Sequence, residues 1–198
     1  MIELNSLIIH KTLKFIQNNS NYSSSEYNKI EYGLEGIYLT VSKIIIILFI
    51  GSFFHYLDTV LFTLLFFNIL RFFAFGLHAK KSWHCLVLSI LQFNILPYLL
   101  LHISISNSMI IFVFIFSLIS FLLFAPSDTV KRPLTNKRKR IIRKILSICS
   151  LFILLIVMYF FNYLKVPILC SYLIESLMIN PISYHLLGLP YNNYKNKA

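Results

Sequence analysis

The chain has 198 residues, of which 58% are hydrophobic and 13% are charged, and its mean hydropathy is +0.75. Soluble domains usually hold about 25% charged residues, so this composition excludes an ordinary soluble domain. Lys and Arg number 18 against 7 for Asp and Glu, a formal net charge of +11. In a membrane protein such an excess encodes orientation and contact with anionic lipid, so we expect no nucleic-acid partner.

The N-terminal residues predict an amphipathic helix over 2–17. Apolar residues recur there at mostly helical spacings, at Ile2, Leu4, Ile9, Leu13 and Ile16. Such a helix lies in the cytoplasmic membrane interface. The polar stretch 18–27 predicts a linker. No basic start and no small-residue cleavage site are present, so a cleavable signal is not expected.

Six apolar segments follow, and short polar breaks separate them. They cover residues 37–55, 58–75, 83–103, 108–125, 145–163 and 166–187. About 20 apolar residues cross a bilayer, and helices are the open segments that satisfy their backbone in lipid. The sequence therefore predicts an all-α polytopic membrane protein with about six transmembrane helices. Its regions would be 1–36 (cytoplasmic or interfacial), 37–187 (the six-helix domain) and 188–198 (a cytoplasmic tail).

The basic residues predict the orientation. With the N-terminus inside, every Lys and Arg except Lys165 lies on the cytoplasmic side. This agrees with the positive-inside rule. Both termini, and the loop between the second and third segments, are therefore expected in the cytoplasm.

That loop contains a histidine and a cysteine, His78 and Cys85. A thiol becomes a useful nucleophile when a base or nearby positive charge helps it to lose its proton. His78 is the candidate base, and Arg71, Lys80 and Lys81 supply positive charge. Two interpretations stay open: a catalytic pair, or a topogenic loop in which both residues are incidental.

A catalytic pair requires a break in the helix. Residues seven positions apart on a continuous helix stand roughly 10 Å apart along its axis, whereas a hydrogen bond needs about 3 Å. Gly76 permits unusual backbone angles. We therefore predict a non-helical segment within 76–82, and one unbroken helix from 70 to 90 would count against the pair.

The remaining polar and sulfur groups suggest no cofactor. Three cysteines without regular spacing predict neither a disulfide framework nor a zinc site, and no metal is expected. Cys149 and Cys170 are predicted to be small buried hydrophobic residues. Glu175 falls within an apolar segment, so it should have a polar partner or be protonated.

Three motifs carry a resemblance to a known family. They are Tyr32-Gly33-Leu34-Glu35, then Arg71 with Gly76-x-His78-Ala79 and Cys85, and then Ala125-Pro126-Ser127-Asp128-Thr129 followed by Lys131-Arg132-Pro133-Leu134. In order and spacing the chain resembles the AgrB family (accessory gene regulator protein B) over most of its length. One departure is Phe75, where many members carry a second glycine, which leaves less backbone freedom.

The resemblance implies a membrane cysteine endopeptidase of the bacterial cell membrane, and the distribution of basic residues predicts that its active site is on the cytoplasmic side. It implies that His78 and Cys85 are catalytic and that Arg71 and Gly76 are needed for activity. The implied partner is an AgrD-like precursor peptide, whose acidic C-terminal tail is removed while a cyclic thiolactone or lactone quorum-sensing signal forms. A homodimer is common in the family.

Supporting residues have more than one interpretation. Arg71 either snorkels to the interface or supplies charge to the site, for the oxyanion or for a substrate carboxylate. Backbone N–H groups near Cys85 are the other candidate oxyanion donors. Glu35 orients His78, pairs with Arg71, or is a plain interfacial carboxylate. Asp128 has the same alternatives, and its Pro-Ser context favours a turn.

A second class of function also fits: a non-enzymatic exporter or scaffold for a small amphipathic peptide. The two hypotheses differ over Cys85, which is essential for a peptidase and dispensable for a carrier. Against an ion-coupled carrier, the apolar segments lack paired charges, since Glu175 is alone among them.

Overall fold

The computed structural model describes residues 12–14, 24–77, 82–128 and 134–191, and these are predominantly helical. The named helices are α1 (Ser24–Phe53), α2 (Leu57–Ala74), α3 (Ser82–Ile90), α4 (Leu96–Leu101), α5 (Asn107–Phe124), α6 (Lys137–Phe160), α7 (Lys165–Ile179) and α8 (Pro181–Leu186). A π-helical turn, Leu91–Ile95, joins α3 to α4, and a 3-10 turn, Asn162–Leu164, precedes α7. The predicted all-α fold is confirmed.

Five stretches of this part of the chain are long and apolar enough to cross a bilayer. They are Glu26–Phe53, Leu57–Ala74, Trp83–Leu101, Asn107–Phe124 and Lys137–Phe160. Large apolar side chains on them point outward, and Phe112 of α5 is 71% exposed. An apolar surface of this kind is suited to lipid. The protein is therefore a multi-pass membrane protein.

The sixth predicted segment has a different form. Residues 166–187 divide into α7 and α8, which meet at Asn180. With 15 residues, α7 is about 22 Å long, shorter than the roughly 30 Å hydrocarbon core of a bilayer. Instead α7 is an internal helix, because α2, α5 and α6 pack against it and most of its side chains are buried.

The chain divides into two compact units, residues 1–46 and 47–198. In the first unit, residues 12–14 are helical, and the rest of the predicted amphipathic helix lies outside the described residues. The linker prediction for 18–27 is wrong from Ser24 onward, because α1 begins there. The region boundaries at 36 and 187 stay predictions.

Local sequence signals in the second unit begin the helices and set one irregular turn. The side chains of Ser106, Asn136 and Asn180 accept backbone N–H groups at the starts of α5, α6 and α8, as N-cap residues do. The π-helical turn ends at Ile95, two residues before Pro97. Proline cannot donate a helical hydrogen bond, and its ring crowds the preceding turn, which accounts for the local widening.

Candidate active site

The helix break predicted around Gly76 is present. Helix α2 ends at Ala74, Phe75–Leu77 are not helical, and α3 begins at Ser82. The prediction of a non-helical segment within 76–82 is therefore confirmed at Gly76 and Leu77. His78 lies outside the described residues, so its approach to Cys85 stays a prediction.

Gly76 occupies a backbone position that suits glycine. Its φ angle is +127°, and an added Cβ would lie 3.1 Å from Nη1 of Arg71 and 3.2 Å from the carbonyl oxygen of Met178. L-residues with a side chain rarely adopt this φ, and the space is already filled. The sequence therefore needs glycine here for two independent reasons.

The segment after α2 pairs with the segment after α5. The Gly76 N–H donates to the Ser127 carbonyl at 3.0 Å, and the Ser127 N–H donates to the Ala74 carbonyl at 2.9 Å. Phe75 and Ser127 thereby form a parallel β-bridge. These backbone groups lie where two helices end, so mutual pairing satisfies donors and acceptors that the helices leave over.

The C-terminal end of α7 holds both segments. The Leu77 N–H donates to the Met178 carbonyl at 3.0 Å, and the Ser127 hydroxyl donates to the Ile179 carbonyl at 3.1 Å. The residues leading into His78 are thus fixed on two sides. We refer to residues Phe75–Leu77, which follow α2 and lead to His78, as the elbow.

Arg71 is mostly buried beneath the elbow and bonds to its backbone. Its Nη2 donates to the Leu77 carbonyl at 2.7 Å and more weakly to the Gly76 carbonyl at 3.5 Å. Its guanidinium also lies over the Phe67 ring, 5.3 Å from the centroid. A cation at the C-terminal end of α2 complements the helix dipole. Arg71 therefore points inward and does not snorkel to the interface.

The carboxylate beside Arg71 is Glu175 of α7. Nη1 of Arg71 lies 3.7 Å from Oε2 of Glu175, whose side chain is fully buried. Within the described part of the chain, neither carboxylate oxygen receives a hydrogen bond. The polar partner that the sequence required for Glu175 is therefore present, and it is a residue of the candidate site. The expectation that Glu175 is alone and that the apolar segments hold no paired charges is wrong, because Arg71 lies in the second segment and pairs with it.

Phe75 adopts a backbone conformation that glycine would adopt without strain. Its φ is +61° and its ψ is −134°. Its ring lies under Arg143 of α6, with the guanidinium carbon 4.3 Å from the centroid. Nη1 of Arg143 also donates to the Phe72 carbonyl at 2.8 Å. Phe75 therefore has a backbone conformation that favours glycine, and its ring makes a cation–π contact with Arg143.

Cys85 lies in the first turn of α3 and is half-buried. The N-terminal end of a helix favours negative charge, and its first backbone N–H groups have no acceptor within the helix. Ser89 donates its hydroxyl to the Cys85 carbonyl at 2.7 Å. Next to Cys85, the ring of His84 stacks on Trp83 with centroids 3.7 Å apart.

Asp128 and Tyr184 stabilise the segment after α5. The buried Asp128 carboxylate accepts the backbone N–H of Leu134 at 3.2 Å, which favours a turn role. Tyr184 of α8 donates to the carbonyl oxygens of Ser127 and Asp128 at 3.4 and 3.3 Å. Burial raises the pKa of the Tyr184 hydroxyl above its ordinary value, to about 12. The hydrogen bond to Ser127 lowers the pKa, but by less than burial raises it. Tyr184 therefore remains a neutral donor at physiological pH.

The structure does not join every predicted site residue. Glu35 is exposed on α1 in the first compact unit, so its roles beside His78 or Arg71 stay predictions.

The other two cysteines differ in burial. Cys170 is fully buried, as predicted, but Cys149 is exposed, so the prediction that Cys149 is buried was wrong. It lies on the apolar outer face of α6, where a small thiol meets lipid. No group of three potential metal ligands occurs among the described residues.

Sequence reasoning did not include Glu175, Ser127, Arg143 or Tyr184 in the site. Glu175 had a usable signal, because an acidic residue within an apolar segment suggests function by default. Ser127 falls inside one of the quoted motifs but acts mainly through its backbone. The other two act through contacts between distant parts of the chain, which local spacing does not reveal.

Comparison with known proteins assigns the family. The model of the family described as Accessory gene regulator B matches residues 9–183. The chain belongs to the AgrB family. A relative described as AgrB-like, from Listeria innocua, is 32% identical over 85% of this chain and 84% of its own length. AgrB-like relatives from Clostridium acetobutylicum and Clostridium beijerinckii are 31% and 37% identical, covering 98% and 75% of this chain and 90% and 73% of their own. No solved structure matches the chain.

Membership of the AgrB family supports a role in the processing of a quorum-sensing peptide in an accessory gene regulator system. It also agrees with the multi-pass membrane architecture found above.

Proposed function

We propose that this AgrB protein is a membrane cysteine endopeptidase that cleaves the C-terminal tail from an AgrD-like precursor peptide. Cys85 is the nucleophile and His78 is the general base. The product of the first step is an acyl-thioester, which then closes to a thiolactone or lactone. The active site and both chain termini face the cytoplasm. The chain returns to that side through α7, whose C-terminal end bonds to the elbow.

The observation that carries the proposal is the helix break before His78. Because α2 ends at Ala74 and α3 begins at Ser82, the residues between them are not constrained to the spacing of one helix. His78 follows directly after Leu77, whose N–H and carbonyl are both bonded. A fixed elbow of this kind allows an imidazole to be presented to the first turn of α3.

The first chemical step transfers the acyl group to sulfur. His78 removes the proton from the Cys85 thiol, and the thiolate attacks the scissile carbonyl carbon. The tetrahedral intermediate then collapses, the C–N bond breaks, and His78 returns the proton to the departing amine of the tail. The N-terminal part of the precursor remains attached to Cys85 as a thioester.

The second step closes the ring. A thiol or hydroxyl within the precursor attacks the thioester carbonyl and gives its proton to His78, and Cys85 leaves as a thiolate. Because the acyl group retains its reactivity in the thioester, ring closure requires no ATP. A site at the membrane edge limits competing hydrolysis by water.

The oxyanion of both intermediates requires donors. The backbone N–H groups in the first turn of α3 are better candidates than Arg71, because Nη2 of Arg71 already bonds to the Gly76 and Leu77 carbonyls. Arg71 is accordingly assigned to positioning of the elbow rather than to direct stabilisation of charge.

A basic cavity beside the site suits the acidic tail of such a precursor. It has a volume of about 560 Å³ and lies between the end of α5 and the start of α6. Lys137, Arg140 and Lys144 line it at spacings that share one helical face, together with apolar residues of α5 such as Leu123 and Phe124. Charged and apolar walls together complement an amphipathic acidic segment. Contact of the same residues with anionic lipid is compatible with this use.

Replacement of Cys85 tests the proposal. The protein would be reconstituted in lipid vesicles with an AgrD-like precursor, and the size of the peptide would be followed by mass spectrometry. Cys85→Ala is expected to abolish cleavage, and His78→Ala is expected to reduce it severely. Cys149→Ala combined with Cys170→Ala is the matched control and should cleave normally, since neither thiol lies at the elbow.

Normal cleavage by Cys85→Ala would refute the peptidase mechanism. Transfer of intact precursor across the vesicle membrane by the same variant would instead support the exporter or scaffold.

A further inference from the structure

We propose that Glu175 is a positioning residue of the active site, which acts by holding Arg71 in the orientation that fixes the elbow. This inference rests on the proposed function, because it assigns a role toward His78 and Cys85. It adds a side chain from α7, a helix that also supplies the Met178 and Ile179 carbonyls to this region.

Burying the carboxyl group of Glu175 costs free energy. Glu175 is fully buried and its oxygens receive no hydrogen bond from the described residues. Replacing a buried ion pair by apolar residues is often neutral or stabilising, so stability is a weak reason to retain one. An acidic residue kept at such a position is better explained by function.

A short chain of contacts joins Glu175 to the residue that precedes His78. Glu175 lies 3.7 Å from Nη1 of Arg71, and Nη2 of the same guanidinium lies 2.7 Å from the Leu77 carbonyl. The next residue after Leu77 is His78. The guanidinium is planar and rigid, so fixing one nitrogen fixes the direction of the other.

Glu175 also accounts for the inward direction of the Arg71 side chain. A long cationic side chain near the end of a membrane helix extends toward the interface unless something holds it inward. Glu175 supplies that attraction from inside the protein. Gly76 leaves room for the arrangement, because a Cβ at that residue would lie 3.1 Å from Nη1 of Arg71.

The test uses the full-length protein in vesicles, with Cys149→Ala and Cys170→Ala in the background so that Cys85 is the sole thiol. Two quantities are measured: kcat and KM for cleavage of an AgrD-like precursor, and the rate at which iodoacetamide alkylates Cys85 as pH is varied. Alkylation does not depend on the precursor, so it reports on the site even if no peptide is cleaved.

Glu175→Gln is expected to lower kcat about 10-fold or more with little change in KM, as expected when an interaction with a charged group is lost. It should also slow alkylation of Cys85 and alter its pH profile. Arg71→Gln should have the same effects. The double variant Arg71→Gln with Glu175→Gln should be no worse than Arg71→Gln alone, since both residues act through one contact.

Tyr172→Phe is the matched control. It removes a buried hydrogen bond from α7 to the Leu151 carbonyl of α6, about one helical turn before Glu175, and leaves the bonds of Arg71 to the elbow in place. It should lower thermal stability without changing the alkylation profile or kcat. Glu175→Asp keeps a carboxyl group on α7, so it should retain part of the activity that Glu175→Gln loses.

Wild-type alkylation and cleavage in Glu175→Gln would overturn the proposal, and so would losses that multiply in the double variant. If the wild-type protein cleaves no precursor while Glu175→Gln still changes the alkylation profile of Cys85, the peptidase function fails and the positioning role stands. If cleavage depends on Cys85 but Glu175→Gln matches Tyr172→Phe in both measurements, the peptidase function stands and the positioning role fails.

Discussion

Two groups of cations near the candidate site are used in opposite ways. Arg71 is mostly buried, with a side chain 17% exposed, and it bonds to the elbow and lies beside Glu175. Lys137, Arg140 and Lys144 instead line an open cavity at the start of α6. When basic residues are counted to predict membrane orientation, all four of these residues count equally. Their environments separate them into one cation that is bonded inside the protein and three that line a cavity.

The largest effect is expected from crowding the buried cation. Gly76→Ala introduces a Cβ close to Nη1 of Arg71 at a φ of +127°. Backbone strain of this kind costs about 1–3 kcal/mol, so we expect cleavage to fall about 10- to 100-fold through displacement of the elbow. Initial rates in vesicles would measure the loss. Gly36→Ala is the control, because a Cβ there meets nothing within 4 Å; equal rates for the two variants would contradict the account.

A smaller effect, of a different kind, is expected at the cavity. Changing Lys137, Arg140 and Lys144 together to Gln should raise KM about 3- to 10-fold and leave kcat nearly unchanged, because accessible ion pairs contribute little individually. The difference from the wild type should shrink at high salt. A fall in kcat with unchanged KM would show that these residues shape the site, and the contrast with Arg71 would disappear.

The smallest effect is expected at Phe75. Phe75→Gly relieves the strain of a positive φ but removes the ring beneath Arg143. Strain relief and loss of a cation–π contact are of similar size, so cleavage should change less than about threefold. Parallel rate measurements with Gly76→Ala would test this. If Phe75→Gly lowered the cleavage rate as much as Gly76→Ala does, the Phe75 ring, rather than a glycine-like backbone at that position, would be what the reaction requires.

Much of the fold could be predicted because the relevant signals are local. Apolar length identified the five stretches of the described residues that are able to cross a bilayer, and the requirements of a His–thiol contact predicted the break that the structure has at Gly76 and Leu77. The form of the sixth segment could not be predicted, because apolar composition is the same for a lipid-facing helix and for a helix buried among others. Burial of α7 depends on which helices surround it.

The candidate site was less predictable because its organising contacts join distant residues. Arg71 was identified by motif, but its pairing with Glu175 depends on the packing of α7 against α2. Sequence spacing predicts neighbours within one helix and gives no register between two. Pairing of the elbow with Ser127 requires that the C-terminal ends of α2 and α5 lie at the same level. The sequence alone does not predict this.

The central claim is that Cys85 carries the acyl group during the reaction. The most direct measurement is mass spectrometry of the protein after mixing with a precursor whose internal nucleophile is replaced by alanine, so that ring closure cannot release the thioester. The account predicts an adduct of the N-terminal precursor fragment on Cys85, absent from Cys85→Ala. Release of the tail with no adduct on Cys85, or an adduct on Cys149 or Cys170, would contradict it.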